Sequence, residues 1–257
     1  MTRRIKAVVE YDGTDFFGWQ VQPDTPTIQG EIEKALEKLL VSPVRISAAG
    51  RTDAGVHALG QVVSFTLEST LETGNILKGT NSFLPPSIRL VRVEDVPLEF
   101  DPRRDAILRN YRYDVLNRSV APVYGRRFLS HIPWRLNRSR LDKAVELLKG
   151  THDFSGFRSS DCEAKRTLLT LQTFEVSRNG ELLRFDLLCR SFLKNMVRIL
   201  IGGVIEVSRG KLELSVLEEM LDSGSRDPRV PTAPPAGLTL MKVYYPGEEI
   251  RGRKDEG

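Results

Sequence analysis

Cysteine is nearly absent. The 257 residues hold two, Cys162 and Cys189, at no metal-ligand or redox spacing, and a disulfide between them is not expected. Histidine is scarce and scattered, at His57, His131 and His152. With no HExxH and no paired CxxC, no metal is expected at the centre of the chemistry. Long apolar runs are missing as well. The longest, Ile199 to Ile205, is far short of the roughly 20 residues that span a bilayer, and the opening residues have no signal-type stretch. A reducing cytoplasm with no membrane partner is the simple reading. The phosphate-cradling GxxxxGK(S/T), the GxGxxG of dinucleotide binders and the GxSxG nucleophile elbow are also lacking. These gaps exclude the common cofactor sites and narrow the search to catalysis by unaided side chains, with no cofactor.

What is present is basic, though mildly so. Lys and Arg number 38 against 34 Asp and Glu. The placement says more than the sum. Arg3-Arg4, Arg103-Arg104 and Arg126-Arg127 are paired, and Arg184, Arg190, Lys194 and Arg198 crowd one segment. Such clusters bind phosphate backbones through Coulomb attraction and counterion release, although any one pair taken alone reads as a solvated face. Nucleic acid is favoured as the partner.

The periodicities describe strands alternating with helices. A strand is expected over Ile5–Tyr11, then a loop with Gly13, Gly18, Pro23 and Pro26. A helix over Ile28–Leu40 follows, capped by Thr27, with Ile28, Ile32, Leu36 and Leu39 on one face. Strands over Val44–Ala48, Gln61–Leu67 and Ile88–Val93 surround a helix at Gly74–Phe83 that Pro85-Pro86 stops. The second half repeats the plan. It has a strand at Ile107–Leu116, a helix capped by Asn137 and closed by Gly150, and a hairpin of Leu169–Ser177 and Leu182–Ser191 around Asn179-Gly180. Leu193–Ser208 is a helix apolar nearly all round and therefore buried, its Gly202-Gly203 allowing close packing on a sheet. A last strand is expected at Leu238–Tyr245. Asp15-Phe16-Phe17-Gly18-Trp19 is echoed by Asp153-Phe154-Ser155-Gly156-Phe157, which suggests two related halves. The expectation is two α+β units, residues 1–100 and 101–245, bounded near Pro97 to Pro102, and a polar tail at 246–257.

One loop carries chemistry. In Ala48 to Ala58, Gly50 and Gly55 relax the backbone on either side of Asp53, and Arg51 is near enough in sequence to pair with it. A free aspartate has a pKa of about 3.9, so it is ionised roughly a thousandfold over neutral at pH 7. It is a nucleophile without needing a general base, as serine is not. A lone Arg-Thr-Asp more often makes only an Asx-turn.

The longer run is more specific. GRTDAGVHALGQVVSF resembles the signature loop of the tRNA pseudouridine synthase A family. Tyr11-Asp12-Gly13-Thr14 with Phe17-Gly18-Trp19-Gln20 is similar to that family's first strand and loop. Phe100-Asp101-Pro102-Arg103, Arg109 to Tyr113, His152-Asp153-Phe154, Phe192 to Arg198 and Ala233 to Leu240 continue the likeness in the expected order, from about Ile5 to Tyr245. The resemblance implies two ferredoxin-like halves with joined antiparallel sheets flanked by helices. It also implies isomerisation of uridines at positions 38 to 40 of the tRNA anticodon stem-loop, and a homodimer that holds tRNA across both subunits. Asp53 matches the catalytic aspartate, and Arg51 and Arg198 match the family's active-site basic residues. Tyr111 matches the tyrosine that stacks under the target base and assists proton removal. Leu238 matches an apolar residue of the uracil pocket. Trp19 and His57 take only structural or weak RNA-contact roles, and Asn195 takes none. Read without the resemblance, Tyr111 and Leu238 are ordinary core residues. Arg198 is harder to dismiss, because an unpaired charge in a buried helix costs several kcal/mol. It needs an anion, and Asp53 is the natural one. A non-catalytic RNA-binding protein or a nucleoside glycosidase would be the other classes, but the first has no need of Asp53 and the second usually pairs two carboxylates.

Overall fold

The computed structural model describes residues 2–250. Its first strand, β1 (Thr2–Tyr11), buries Ile5, Ala7, Val9 and Tyr11 and leaves Lys6, Val8 and Glu10 half-buried. That period of two turns one face of a sheet toward a helical layer and the other outward. In α1 (Ile28–Leu40), Thr27 Oγ1 accepts from the Gly30 N–H as the expected cap, and Ile28, Ile32, Ala35 and Leu36 are buried. β2 (Ser47–Ala48), β3 (His57–Glu68), α2 (Thr73–Phe83) and β4 (Ile88–Val96) follow. The strands lie in the order β4-β1-β3, with β2 paired to β3, which is the βαββαβ arrangement of a ferredoxin-like unit.

The remaining strands and helices are β5 (Leu108–Asn117), β6 (Ser130–Ile132), α3 (Arg138–Leu148), β7 (Gly150–Asp153), β8 (Leu168–Asn179), β9 (Leu182–Cys189), α4 (Met196–Ser208), α5 (Leu214–Ser223) and β10 (Leu238–Tyr244). Their order, β10-β5-β9-β8-β7, repeats the same arrangement. The halves meet where β10 runs parallel to β3, Thr239 opposite His57 and Leu240 opposite Ala58. Gly60 permits this contact, since a Cβ there would lie 2.4 Å from the Met241 carbonyl oxygen. The class is α+β, one mostly antiparallel sheet flanked by helices.

Several expectations are corrected. The strand expected at Val44–Ala48 is only Ser47–Ala48, and β6, β7 and α5 were not anticipated. The Asp-Phe-x-Gly echo occupies unlike places: Asp15–Trp19 precedes α1, whereas Asp153 ends β7 and caps a short 3-10 turn at Phe154–Phe157. The halves are therefore related by topology, not through that echo. Gly202 and Gly203 in α4 do pack closely, but not on a sheet. A Cβ on Gly202 would sit 2.0 Å from the Pro231 oxygen, and one on Gly203 2.8 Å from the Leu217 side chain. Of the expected tail, residues 251–257 lie outside the described residues. Among the described residues no helix is long and apolar enough to cross a membrane.

Candidate active site

The loop between β2 and β3 is fastened along its backbone. Ala49 N–H donates to Val62 O at 2.8 Å, and Gln61 Nε2 to Gly50 O at 2.9 Å. Thr52 O accepts from Trp19 N–H at 3.0 Å, and the buried hydroxyls of Thr52 and Tyr11 lie 2.8 Å apart. Gly55 has φ +78°, and a Cβ there would come 2.8 Å from Pro235. Only glycine fits. Gly50 is not left-handed and faces open space, so just one of the two glycines serves the expected purpose.

This scaffold presents Asp53 with its side chain a quarter exposed. Burial pushes the carboxyl above its ordinary pKa, and the Arg198 and Lys194 charges pull partway back. The thousandfold margin of ionisation expected from the free side chain is accordingly narrower in the fold. Arg198 Nη1 stands 3.7 Å from Asp53 Oδ2, an ion pair but too long for a hydrogen bond. The guanidinium is fixed from elsewhere: Nε donates to Ala233 O and Nη1 to Asn195 Oδ1, both at 2.7 Å. The structure therefore brings Arg198 and Asp53 together, as an otherwise unpaired charge in a buried helix requires.

Arg51 is not brought in. It is exposed, and among the described residues it makes no ion pair with Asp53. Its charge stays hydrated on the rim while Arg198, anchored in α4, faces the carboxylate. Tyr111 is buried on β5 with its ring edge-on to Phe192, centroids 5.1 Å apart. Burial raises its phenol pKa, and the nearby Tyr11 and Asp53 add to the rise. Leu238 is buried at the start of β10, opposite Tyr113. The Pro235–Gly237 turn before it lies against Gly55 of the Asp53 loop. His57 and Trp19 are structural. His57 is buried, its Nδ1 accepts from Gly13 N–H at 3.1 Å, and its ring meets Phe128 at 4.9 Å. Trp19 is 3% exposed beside Tyr11, too deep for RNA contact.

Asn195, to which the sequence assigned no role, is the residue it most clearly missed. It precedes α4 in the left-handed region at φ 60°, ψ 5°, holds Arg198 through Oδ1, and donates from Nδ2 to Ser159 Oγ at 2.5 Å. Asparagine tolerates that backbone better than most residues, but the signal exists only in three dimensions. At the mouth of the site Lys194 Nζ pairs with Asp161 at 2.5 Å.

Comparison with known proteins agrees with the motif reading. A family model described as tRNA pseudouridine synthase matches residues 7–105 and 144–246. The tRNA pseudouridine synthase A of Geotalea daltonii is 42% identical over 243 residues, 95% of this chain and 100% of that protein. The proteins of the same name from Methylobacterium nodulans and Neorickettsia sennetsu are 41% and 43% identical over 244 residues each. They cover 95% and 94% of this chain and 96% and 100% of their own. A likeness that runs nearly end to end at this identity takes in the Asp53 loop and the helix carrying Arg198 alike, and the chain belongs to the tRNA pseudouridine synthase family.

Proposed function

We propose that this chain isomerises uridines at positions 38 to 40 of the tRNA anticodon stem-loop to pseudouridine, with Asp53 as the nucleophile on a flipped-out base. The observation that carries the reading is a single partly desolvated carboxylate on a fastened loop, faced by a fixed arginine and bordered by a buried tyrosine. A uracil inside a stem is out of reach, so it leaves the stack at a cost of a few kcal/mol. The N1–C1′ bond breaks, the base turns, C5 bonds to C1′, the C5 hydrogen departs as a proton, and N1 takes one up, so that no net proton is lost. Asp53 attacks C6 or C1′, or takes a proton to leave a glycal. Arg198 favours the anion that each of these routes needs. Tyr111 lies under the base and Leu238 lines the uracil's apolar side. The Tyr111 phenol, neutral at pH 7 even when free and pushed further from ionising by burial, suits a stacking surface better than a base. Arg51, exposed and without an ion pair among the described residues, meets a phosphate of the flipped nucleotide. The reading includes residues 1–100 and 101–245 as the units closing the cleft, a homodimer holding tRNA across both subunits, and work in the cytoplasm.

Tritium release from tRNA carrying 5-tritiated uridine tests the proposal. Wild type is expected to release tritium, and Asp53→Asn to bind tRNA without releasing any. Silence of the wild type on a full set of unmodified tRNAs would leave an RNA-binding module instead. Equal release by both proteins would remove Asp53 from the centre of the chemistry.

A further inference from the structure

Arg109, at the second position of β5, is 8% exposed and has no carboxylate partner among the described residues. Its guanidinium is consumed by backbone. Nη1 donates to Arg190 O at 2.5 Å, and Nη2 donates to Ala49 O at 2.7 Å and Arg103 O at 3.0 Å. These three carbonyls come from the loop leading to Asp53, from the link between β4 and β5, and from the chain beyond β9. One buried side chain thus ties together both halves of the molecule. It also brings together the residues that carry three exposed arginines: Arg103 and Arg190 directly, and Arg51 two residues past Ala49. The Arg103 and Arg190 charges lie close enough to join burial in lowering the Arg109 pKa.

None of Arg51, Arg103 and Arg190 has an ion-pair partner among the described residues. Several other arginines do find carboxylates, among them Arg3 on Asp95, Arg45 on Glu33, Arg112 on Asp186 and Arg184 on Asp114. The nearby acids are already engaged. Asp105 pairs with Arg104 at 3.2 Å, and Asp101 Oδ1 accepts the backbone N–H groups of Arg103 and Arg104. The Arg103 and Arg190 charges bear on Arg109 with no carboxylate paired to any of the three among the described residues, and like charges so placed repel one another until an anion arrives. Arg51 follows on the loop that Arg109 holds through Ala49. Arg109 stands two residues before Tyr111 on β5 and holds Ala49, four residues before Asp53, which sets this cluster beside the loop of Asp53.

We propose that Arg109 gathers Arg51, Arg103 and Arg190 into one phosphate-binding patch that seats the tRNA backbone beside Asp53, across the join of the two halves. The inference rests on tRNA being the substrate. It adds which cations hold the backbone and which buried residue sets their spacing.

The test is tRNA affinity measured from about 50 to 200 mM salt for four proteins, with tritium release followed for the wild type. Arg103→Gln with Arg190→Gln is expected to weaken binding at least about tenfold and to make the slope of log affinity on log salt shallower by about 1 to 2, the loss of two phosphate contacts. Arg92→Gln with Arg178→Gln removes the same charge from β4 and β8 and is expected to bind as wild type does. Arg109→Lys keeps every charge but a compact ammonium cannot span three carbonyls, so affinity is expected to fall with net charge unchanged. The patch is overturned if the first pair binds with wild-type affinity and slope, or if the control pair loses as much. Wild-type affinity in Arg109→Lys would remove the gathering role. Tritium release by wild type with no effect of the Arg103 and Arg190 changes sinks the patch and spares the reaction, whereas a silent wild type whose binding depends on the patch does the reverse.

Discussion

Asp53 is held in the fold at a free-energy cost. Its pKa is raised chiefly by burial, so the native state holds the Asp53 proton more tightly than the unfolded chain. Stability from this group is therefore greatest below the unfolded pKa of about 3.9 and is lost as pH rises through the folded value. Asparagine resembles the neutral acid. Asp53→Asn is expected to be more stable than wild type in urea at pH 7, with the gap closing as pH falls toward 4; a gap of the opposite sign would mean that the Arg198 ion pair outweighs desolvation. Asn195 allows a second test. Asn195→Gly keeps the left-handed backbone and removes the acceptor for Arg198. A hydrogen bond to a charged group is worth about 1.5–3 kcal/mol, so kcat is expected to fall about 10- to 100-fold, with some loss of folding stability beside it. The pH profile is expected to shift upward as Arg198 loosens from Asp53. Asn195→Ala should add backbone strain to the same loss, and equal kcat in wild type and the glycine variant would leave Asn195 a purely structural cap. The Arg198–Asp53 pair was legible in the sequence because a buried charge demands a partner. Arg109 was not, since it acts chiefly through carbonyls distant in sequence. Nor was Asn195, three residues before Arg198, because its left-handed backbone and its contact with Ser159 show only in the fold.

Elements were legible where a single face decides them. Thr27 before Ile28–Leu40 and Asn137 before α3 cap as read, their side chains accepting from Gly30 and Arg140 N–H groups. The hairpin of β8 and β9 forms as read, but its turn is Gly180-Glu181, one residue later than expected, with Asn179 ending β8 opposite Leu182 and Gly180 at φ +59°. β6 and β7, at three and four residues, are too short for periodicity to mark. α5 had the spacing, with Val216, Leu217 and Met220 buried, but Ser215 and Ser223 diluted it. The close packing of α4 was readable from Gly202-Gly203, yet its partner was not, because the segment around Pro231 has no regular structure to predict. That contact matters for the site, as Ala233 two residues on accepts from Arg198 Nε and donates its N–H to Arg198 O at 3.0 Å. Helix propensity alone would make Gly202→Ala stabilising by about 1 kcal/mol. A Cβ 2.0 Å from the Pro231 oxygen reverses the sign, since overpacking costs typically about 1–3 kcal/mol. The variant is expected to unfold at lower urea with an unchanged m-value, and to lose activity through displacement of Arg198 before it loses its fold.

At the scale of the whole molecule the two halves share one sheet, and their direct strand pairing is short, two residue pairs between β3 and β10. A clasp reinforces it. The segment after β5 reaches back to the first half, where Arg127 pairs with Asp15 and stands 3.4 Å from Asp12, and Phe128 covers His57. His57 is the titratable centre of that clasp. Its Nδ1 takes the Gly13 N–H, so the ring is neutral with its proton on Nε2, which lies buried without a hydrogen-bond partner. Burial lowers its pKa, and the Asp12 charge and the backbone of Arg127 and Ala236 oppose that without reversing it. Between the folded value and about 6.5 the unfolded chain carries the extra proton, so stability rises with pH through this window and is lost as pH falls below about 6.5. Protonation would also turn Nδ1 from acceptor to donor against the Gly13 N–H, loosening the loop that carries Trp19 and, through Thr52, the backbone of Asp53. Asparagine offers an oxygen near the place of Nδ1 and does not titrate. In His57→Asn the slope of unfolding free energy on pH between about 5 and 6.5 is expected to be shallower than in wild type. A wild-type slope in that variant would assign the acid sensitivity to other groups and leave the clasp indifferent to protons.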